Sequence, residues 1–292
     1  MFSYLGIGFM RLVALLPLRW VRALGSGVGV MLLWLIPQRR RIAQVNVALC
    51  FPHLSAPEQA ALVRKIFICF TQAWFDRAWL WHAPPEVILA RSQLVGAVEQ
   101  LHGTEPTLLF APHFVGLDAA ATIISQRVPR RYTTLYAVQK NKVFDAWITK
   151  GRQRFAENRL IDRHSGFKPI VSALRQGDPF YLLPDMDFGA EDSYFVPFFG
   201  VSTATVPSLS RFARLGRARV VPVLSRLTPE GYEVHILPAW TDFPTADAEA
   251  DTALMNQRLQ AYIETMPEQY FWVHKRFKSR PPGEADVYKR KA

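Results

Sequence analysis

The sequence predicts an α/β fold, a substantial sheet flanked by helices, preceded by a hydrophobic membrane-anchoring helix. Three observations predict it. Short apolar and β-branched runs alternate with helix-periodic stretches along most of the 292 residues. Half of the residues are hydrophobic, enough to fill a large core in a chain of this length. Residues 1–38 are almost continuously apolar, interrupted by Arg11, Arg19 and Arg22. The expected division is an anchor over 1–38 and a main domain over 39–292.

The anchor comes first. The uncharged run from Ala23 to Gln38 is slightly shorter than the roughly 20 residues a spanning helix needs. Continued back past Arg22, it would span if that arginine reached the headgroups. A membrane-embedded hairpin, an interfacial helix and a buried helix of a soluble protein are the other readings. Gly25, Gly27 and Gly29 would let a second helix approach closely. No small-residue cleavage pattern precedes "QRRR", so this is not read as a signal peptide. Arg39, Arg40 and Arg41 place the following chain on the cytoplasmic side by the positive-inside rule.

Ser55, Pro57 and Glu58 open a helix that runs through Phe67, Phe70, Trp74 and Phe75 at helical spacing. "WHAPPEV" breaks it. "LVGAVEQ" and "PTLLFAPHF" read as strands around the turn "LHGTEP". "GLDAAATIISQ" is helical, "RRYTTLYAVQ" a strand, and "NKVFDAWITKGRQRF" helical again. "ENRLIDR" follows, then the short helix "FKPIVSALRQGD" and the strand and acidic loop "PFYLLPDMDFG". "ATVPSLSRFARLGRA" reads as a helix, and "RVVPVLSRL" and "YEVHILPAW" as strands. A long carboxy-terminal helix is expected from Ala246 through Trp272.

The formal charge of +11 fits nucleic acid, an anionic membrane surface or an acidic protein partner. Lys275, Arg276, Lys278 and Arg280 lie beside Tyr270, Phe271, Trp272 and Phe277, a combination more typical of a membrane interface than of a nucleic-acid reader. No zinc-finger spacing or RNA-binding aromatic signature supports nucleic acid. Cys50 and Cys69 sit in apolar surroundings and suggest neither a disulfide framework nor a metal cage.

Three stretches can carry chemistry. In "TLLFAPHFVGLDAA", His113 falls just past a strand and Asp118 in the first turns of a helix. The carboxylate would orient one ring nitrogen and leave the other as general base for a substrate hydroxyl; both residues read equally as satisfied structural groups. No serine or cysteine lies nearby for a covalent relay. In "ENRLIDR", Arg159 and Arg163 can clamp phosphate oxygens or a developing oxyanion, or be surface charge paired with Asp162. In "LLPDMDFG", Asp185 and Asp187 share a strand face and Gly189 permits a tight turn. The two acids either hold a divalent metal or organise the preceding arginines; the second reading is favoured because no histidine lies near. "FVPFFG" is an apolar wall for a long-chain substrate or ordinary core.

The ordered set "NVALCFPHLS", "APHFVGLD", "NRLIDR", "LPDMDFG", "FVPFFGVSTATVPSLSRFAR" and "MPEQYFWVHKRFKSRPPGE" resembles the bacterial lipid A biosynthesis acyltransferases, the late or secondary lauroyl and myristoyl transferase type. The resemblance covers nearly the whole chain. It implies a glycerol-phosphate-acyltransferase-like mixed sheet, with the H-x4-D/E motif at the active site. It implies transfer of a fatty acyl chain from acyl carrier protein to a hydroxyl of a lipid A precursor, at the cytoplasmic face of the inner membrane. His113 matches the motif histidine and Asp118 its acid, where many members carry glutamate. Arg159 and Arg163 match the basic segment, and Asp185, Asp187 and Gly189 the acidic one, with Met186 where glutamine is common. Ala137 stands where the family's tyrosine–arginine–proline segment has its arginine. No cofactor or metal is expected; the partners are the carrier protein, the lipid acceptor and an anionic membrane surface, with no nucleic acid. The rival readings are a related membrane acyltransferase acting on a lysophospholipid, glycolipid or ornithine lipid, a non-catalytic membrane scaffold, and a metal-dependent hydrolase built on Asp185 and Asp187.

Overall fold

A computed structural model of the chain describes residues 2–162 and 164–289. In chain order it runs α1 (Phe2–Val13), α2 (Leu18–Leu35), α3 (Pro37–Cys50), α4 (Ala56–His82) and α5 (Pro85–Ala90). Then come β1 (Ser92–Gly96), β2 (Thr107–Phe110), α6 (Leu117–Arg127), β3 (Thr133–Tyr136), α7 (Lys142–Arg152), β4 (Arg159–Asp162) and α8 (Lys168–Arg175). The chain continues through β5 (Phe180–Leu182), β6 (Tyr194–Phe198), β7 (Val201–Thr205), α9 (Ser208–Gly216), β8 (Arg219–Thr228), β9 (Gly231–Ile236) and α10 (Ala248–Glu264). The α4 start is as expected: the Glu58 carboxylate accepts from the Ser55 N–H at 2.7 Å, closing a capping box.

The expected α/β architecture is present as a 7-stranded mixed sheet in the order β1-β9-β8-β2-β5-β3-β4. β8 and β9 form an antiparallel hairpin, and the other pairs are parallel. Every residue of β2 (TLLF) and β5 (FYL) is buried, as central parallel strands covered on both faces must be. Their register places Leu108 opposite Phe180, Leu109 opposite Tyr181 and Phe110 opposite Leu182. Past that last pair the two chains read Ala-Pro-His and Leu-Pro-Asp. Pro112 and Pro184 bias the residues before them to extended backbone, so both chains leave the sheet in parallel. Three steps beyond Phe110 is His113, and three steps beyond Leu182 is Asp185.

The helix expected from Ala204 begins only at Ser208, because Val201–Thr205 is the second strand of an antiparallel hairpin with Tyr194–Phe198. The "FVPFF" segment is core: Val196 and Phe198 are buried, and Phe198 packs on Tyr270, Trp272 and Phe277.

The amino-terminal helices are docked rather than appended. Gly25 and Gly29 lie against α4 so closely that a Cβ would meet Gln72 and Ile68 backbone at 2.7 and 2.8 Å; Gly27 faces open space. Thr71 Oγ1 donates to the Gly25 carbonyl at 2.7 Å across the same contact. Arg22 does not reach outward. Its guanidinium is buried, 3.1 Å from Asp76, and donates to the Gly231 carbonyl. Asp76 also accepts from Trp79 Nε1 and Tyr232 Oη, so both of its oxygens are hydrogen-bonded. The opposite face is apolar and exposed, with Phe2, Tyr4, Leu5, Leu15, Trp20 and Trp34 uncovered. Among the described residues Leu18–Leu35 is the one helix long and apolar enough, by length and composition, to cross a membrane.

The long carboxy-terminal helix is shorter than expected. It stops at Glu264, Pro267 opens a single 3₁₀ turn, and Tyr270 is extended and bridges Phe114 before the chain turns again at Trp272. This segment lies antiparallel to the His113 loop: Val115 N–H donates to the Gln269 carbonyl at 2.8 Å and Phe271 N–H to the His113 carbonyl at 3.0 Å. Asn46 of α3 holds it from behind, donating to the Trp272 and His274 carbonyls at 2.7 and 2.8 Å.

Arg22→Met strands the Asp76 carboxylate in the core. We expect it to destabilise the detergent-solubilised protein by about 3–5 kcal/mol, read as a lower urea midpoint; an unchanged midpoint would remove the Arg22–Asp76 pair from the account of α2 docking.

Candidate active site

His113 and Asp185 are 72 residues apart in the chain and meet through the β2–β5 register. Asp185 grips the histidine twice. One carboxylate oxygen lies 2.8 Å from His113 Nδ1, and the other accepts the His113 backbone N–H at 3.0 Å. Tyr270 Oη donates to that second oxygen at 2.9 Å. Asp185 is fully buried, whereas the His113 side chain keeps 23% of its surface open. Burial pushes the Asp185 carboxyl up, but His113 and the donors around it outweigh burial and hold it below the usual carboxylate range. Burial and the neighbouring Asp185 push the Tyr270 phenol well up, so it remains a donor. An ionised Asp185 accepting from Nδ1–H fixes the tautomer in which Nε2 carries the lone pair. The Phe271 ring stacks on the imidazole with centroids 6.2 Å apart.

The expected partner, Asp118, is engaged elsewhere. One of its oxygens accepts from Arg77 Nε at 2.8 Å, with Arg77 Nη2 ion-paired 2.7 Å away; the other accepts from Arg152 Nε at 2.9 Å. The reason is geometric. Asp118 sits in the first turn of α6, where α4 and α7 pack against that helix, while the His113 ring turns back towards the strand ends. Burial pushes the Asp118 carboxyl up, but Arg152 and Arg77 more than offset it and bring it to about 2. Asp118 therefore positions two arginines, and the orienting carboxylate for the histidine is Asp185.

The two remaining motifs are also redistributed. Asp187 accepts the backbone N–H and hydroxyl of Ser279 at 2.7 and 2.9 Å and the Gly189 N–H at 2.9 Å. Gly189, at φ +118, makes the turn that allows this. Neither acid organises Arg159. That residue opens β4 opposite Thr133, at the amino end of the parallel strands, and its guanidinium lies 3.6 Å from Asp178. His113 emerges at the carboxyl end, so Arg159 is on the wrong side of the sheet for the site. Arg163 lies outside the described residues. Among the described residues no group of three or more His, Cys, Asp or Glu side chains is arranged to hold a metal ion.

His113 opens into a cavity of about 920 Å³ whose walls include Phe70, Trp74, Leu117, Ile124, Leu135 and Phe271. Asp118, Arg77 and Arg152 line the same cavity, so the structure brings the H-x4-D pair to one site without a contact between them. A smaller space of about 230 Å³ adjoins through shared walls at Trp74, Arg77, Asp118 and Arg152. Arg77 and Arg152 were not named as site residues from the sequence, and Tyr270 was read there only as part of an aromatic and basic cluster. A signal existed for Arg77, an ionisable residue within the greasy run "AWFDRAWLW", the same oddity that marks His113.

The arrangement is a buried carboxylate, an oriented imidazole and an apolar cleft, with arginines on its wall. The family profile described as "Bacterial lipid A biosynthesis acyltransferase" matches residues 1–279. The chain belongs to this family. It is accordingly an acyltransferase enzyme. It is 33% identical over 291 residues to a lipid A biosynthesis acyltransferase of Haemophilus influenzae, covering 98% of this chain and 90% of that one. It is also 33% identical to the lipid A biosynthesis myristoyltransferase of Escherichia coli, covering 99% of this chain and 90% of the relative. To the lauroyltransferase of the same organism it is 32% identical, covering 98% and 94%. Among solved structures, the 1-acyl-sn-glycerophosphate acyltransferase PlsC from Thermotoga maritima aligns with a TM-score of 0.40 at 13% identity, covering 82% of this chain and 97% of that one, a likeness too distant to carry an argument.

The Asp118 assignment has a pH signature. A carboxyl depressed in the folded state stabilises fully above its unfolded value of about 4, and that contribution is lost as pH falls through the folded value. With Asp118 at about 2, urea-unfolding stability should drop between about pH 4 and pH 2 by a component that Asp118→Asn lacks; parallel pH profiles for the two proteins would contradict the double arginine clamp.

Proposed function

We propose that this acyltransferase moves a fatty acyl chain from an acyl carrier protein thioester to a hydroxyl of a lipid A precursor. The observation that carries the reading is the His113–Asp185 pair opening onto an apolar cavity, in a chain of this family. His113 Nε2 takes the proton of the acceptor hydroxyl as its oxygen attacks the thioester carbonyl. The carbon–oxygen bond forms, the carbon–sulfur bond breaks, and the proton held on His113 passes to the departing thiolate. Asp185 stabilises the imidazolium formed between these events, as the buried carboxylate does in a catalytic triad. The developing oxyanion needs donors. The first turn of α6 opens just after His113; the Leu117 N–H is taken by the Phe114 carbonyl, and the next N–H groups of that turn have no partner within the helix.

The cavity wall supports an acyl chain as the occupant, each buried methylene contributing about 0.8 kcal/mol. The excess of basic residues, +11 formally, supports an acidic carrier protein and an anionic surface as partners. The exposed apolar face of α1 and α2 supports attachment to a membrane. On this reading the protein lies at the cytoplasmic face of the inner membrane, with Arg39–Arg41 on the cytoplasmic side.

Purified His113→Ala and Asp185→Asn, assayed with acyl carrier protein thioesters and a lipid A precursor, should each lose about 10²–10⁴ in kcat while still unfolding cooperatively. Turnover within a few-fold of wild type in His113→Ala would sink the general-base role, and no transfer by the wild-type protein to that acceptor would sink the substrate assignment.

A further inference from the structure

Arg77 and Arg152 are an unusual pair for a mostly apolar cleft. Their side chains come from α4 and α7, and Asp118 from α6 lies between them, separated by 41 and 34 residues in the chain. One carboxylate thus meets two guanidiniums, leaving one positive charge in excess. The contacts use Nε and Nη2 of Arg77 but only Nε of Arg152. Among the described residues, Arg77 Nη1 and both Nη atoms of Arg152 take no hydrogen-bond partner. Each side chain keeps 25% of its surface open, and both line the large cavity and the smaller adjoining one. Ring faces hold the two guanidiniums in place: Arg77 lies 5.7 Å from the Trp81 ring centre and Arg152 5.6 Å from that of Tyr136.

Two arginines fixed by one carboxylate, with spare N–H groups and both side chains lining the two cavities, are pre-organised for an anion carrying several oxygens. A carboxylate ligand would be matched by one guanidinium fork. A tetrahedral phosphate can accept from both at once, and its charge balances the excess. We propose that Arg77 and Arg152, positioned by Asp118, form a phosphate-binding site in the wall of the catalytic cleft. The site deepens the acyl-transfer reading and rests on it for the origin of the phosphate, which is either a phosphate on the lipid acceptor or the phosphodiester of the carrier's prosthetic arm. Trp81, Trp147 and Phe144 line the smaller space beside it, giving the carrier of that phosphate ring surfaces to pack on.

The test has two arms. In the first, inorganic phosphate is titrated into the full-length protein in detergent, with tryptophan fluorescence reporting through Trp74, Trp81 and Trp147. The wild type should show a saturable change. Arg77→Met and Arg152→Met should weaken it at least tenfold and the Arg→Lys variants less, all with cooperative melts. The lysine variants keep the charge and guard against a methionine variant that fails to fold. No saturable change in the wild type, or equal affinity in both folded methionine variants, overturns the site. In the second arm, KM is measured with phosphorylated and dephosphorylated acceptor, and with carrier-bound and phosphate-free thioester donor. The methionine variants should raise KM about 10- to 100-fold, with kcat less affected. That penalty should vanish for whichever substrate has lost the phosphate bound here, which identifies its source. The same penalty with every substrate overturns the substrate role. Failure of the wild type to transfer acyl groups at all would refute the acyl-transfer reading while leaving the phosphate titration to decide the site.

Discussion

The structure depends on the alignment of two adjacent central strands. Phe110 faces Leu182 in the β2–β5 ladder, and each chain continues through a proline to a functional residue at the third position. A one-residue slip in either strand would send its buried side chains to the opposite faces of the sheet. All seven residues of these strands are buried, so the core that stabilises the fold also fixes where His113 and Asp185 emerge. The carboxy-terminal segment reinforces the alignment. Its backbone pairs with the His113 loop, Tyr270 donates to Asp185, and Asn46 anchors the next residues to α3. Segments from both ends of the chain thus brace the loop that carries one imidazole.

Two carboxylates near the cleft do different work because their surroundings differ. Asp185 faces a single titratable ring and a phenol, and it is fully buried. Its negative charge is available to stabilise a proton on His113. Asp118 is neutralised by two permanent cations. It can stabilise no further charge at the histidine, but it holds two guanidiniums at a fixed separation. The motif H-x4-D therefore contributes its two residues to one cleft in separate roles, with α6 as the spacer between them.

Much of the fold was legible in the sequence because it rests on local patterns. The helix start at Ser55, the strands in "TLLF" and "PFYL", and the helix after Gly116 were all read at the right places. The existence of a site around His113 and of the acidic pair was legible too. Its wiring was not. The Asp185 contact spans 72 residues and depends on a strand order that no local pattern reveals. Asp118 looked like the partner because it is near in sequence, but its carboxylate is taken by Arg77 of α4 and Arg152 of α7, residues 41 and 34 positions away. Arg159 looked like a site residue because its neighbours are basic; the β3–β4 register puts it at the far end of the sheet. The long helix expected through Trp272 failed at Pro267, and the residues beyond it were recruited to pair with the His113 loop.

The central claim is that Asp185, and not Asp118, sets the state of the His113 ring. Long-range nitrogen–proton correlation spectra of the protein labelled with ¹⁵N-histidine report this directly, with His113→Gln identifying the resonances. The account predicts that the neutral form of the His113 ring carries its proton at Nδ1 and leaves Nε2 bare, a pattern that persists in Asp118→Asn and is lost in Asp185→Asn. A ring protonated at Nε2, or a pattern lost in Asp118→Asn and kept in Asp185→Asn, would contradict it.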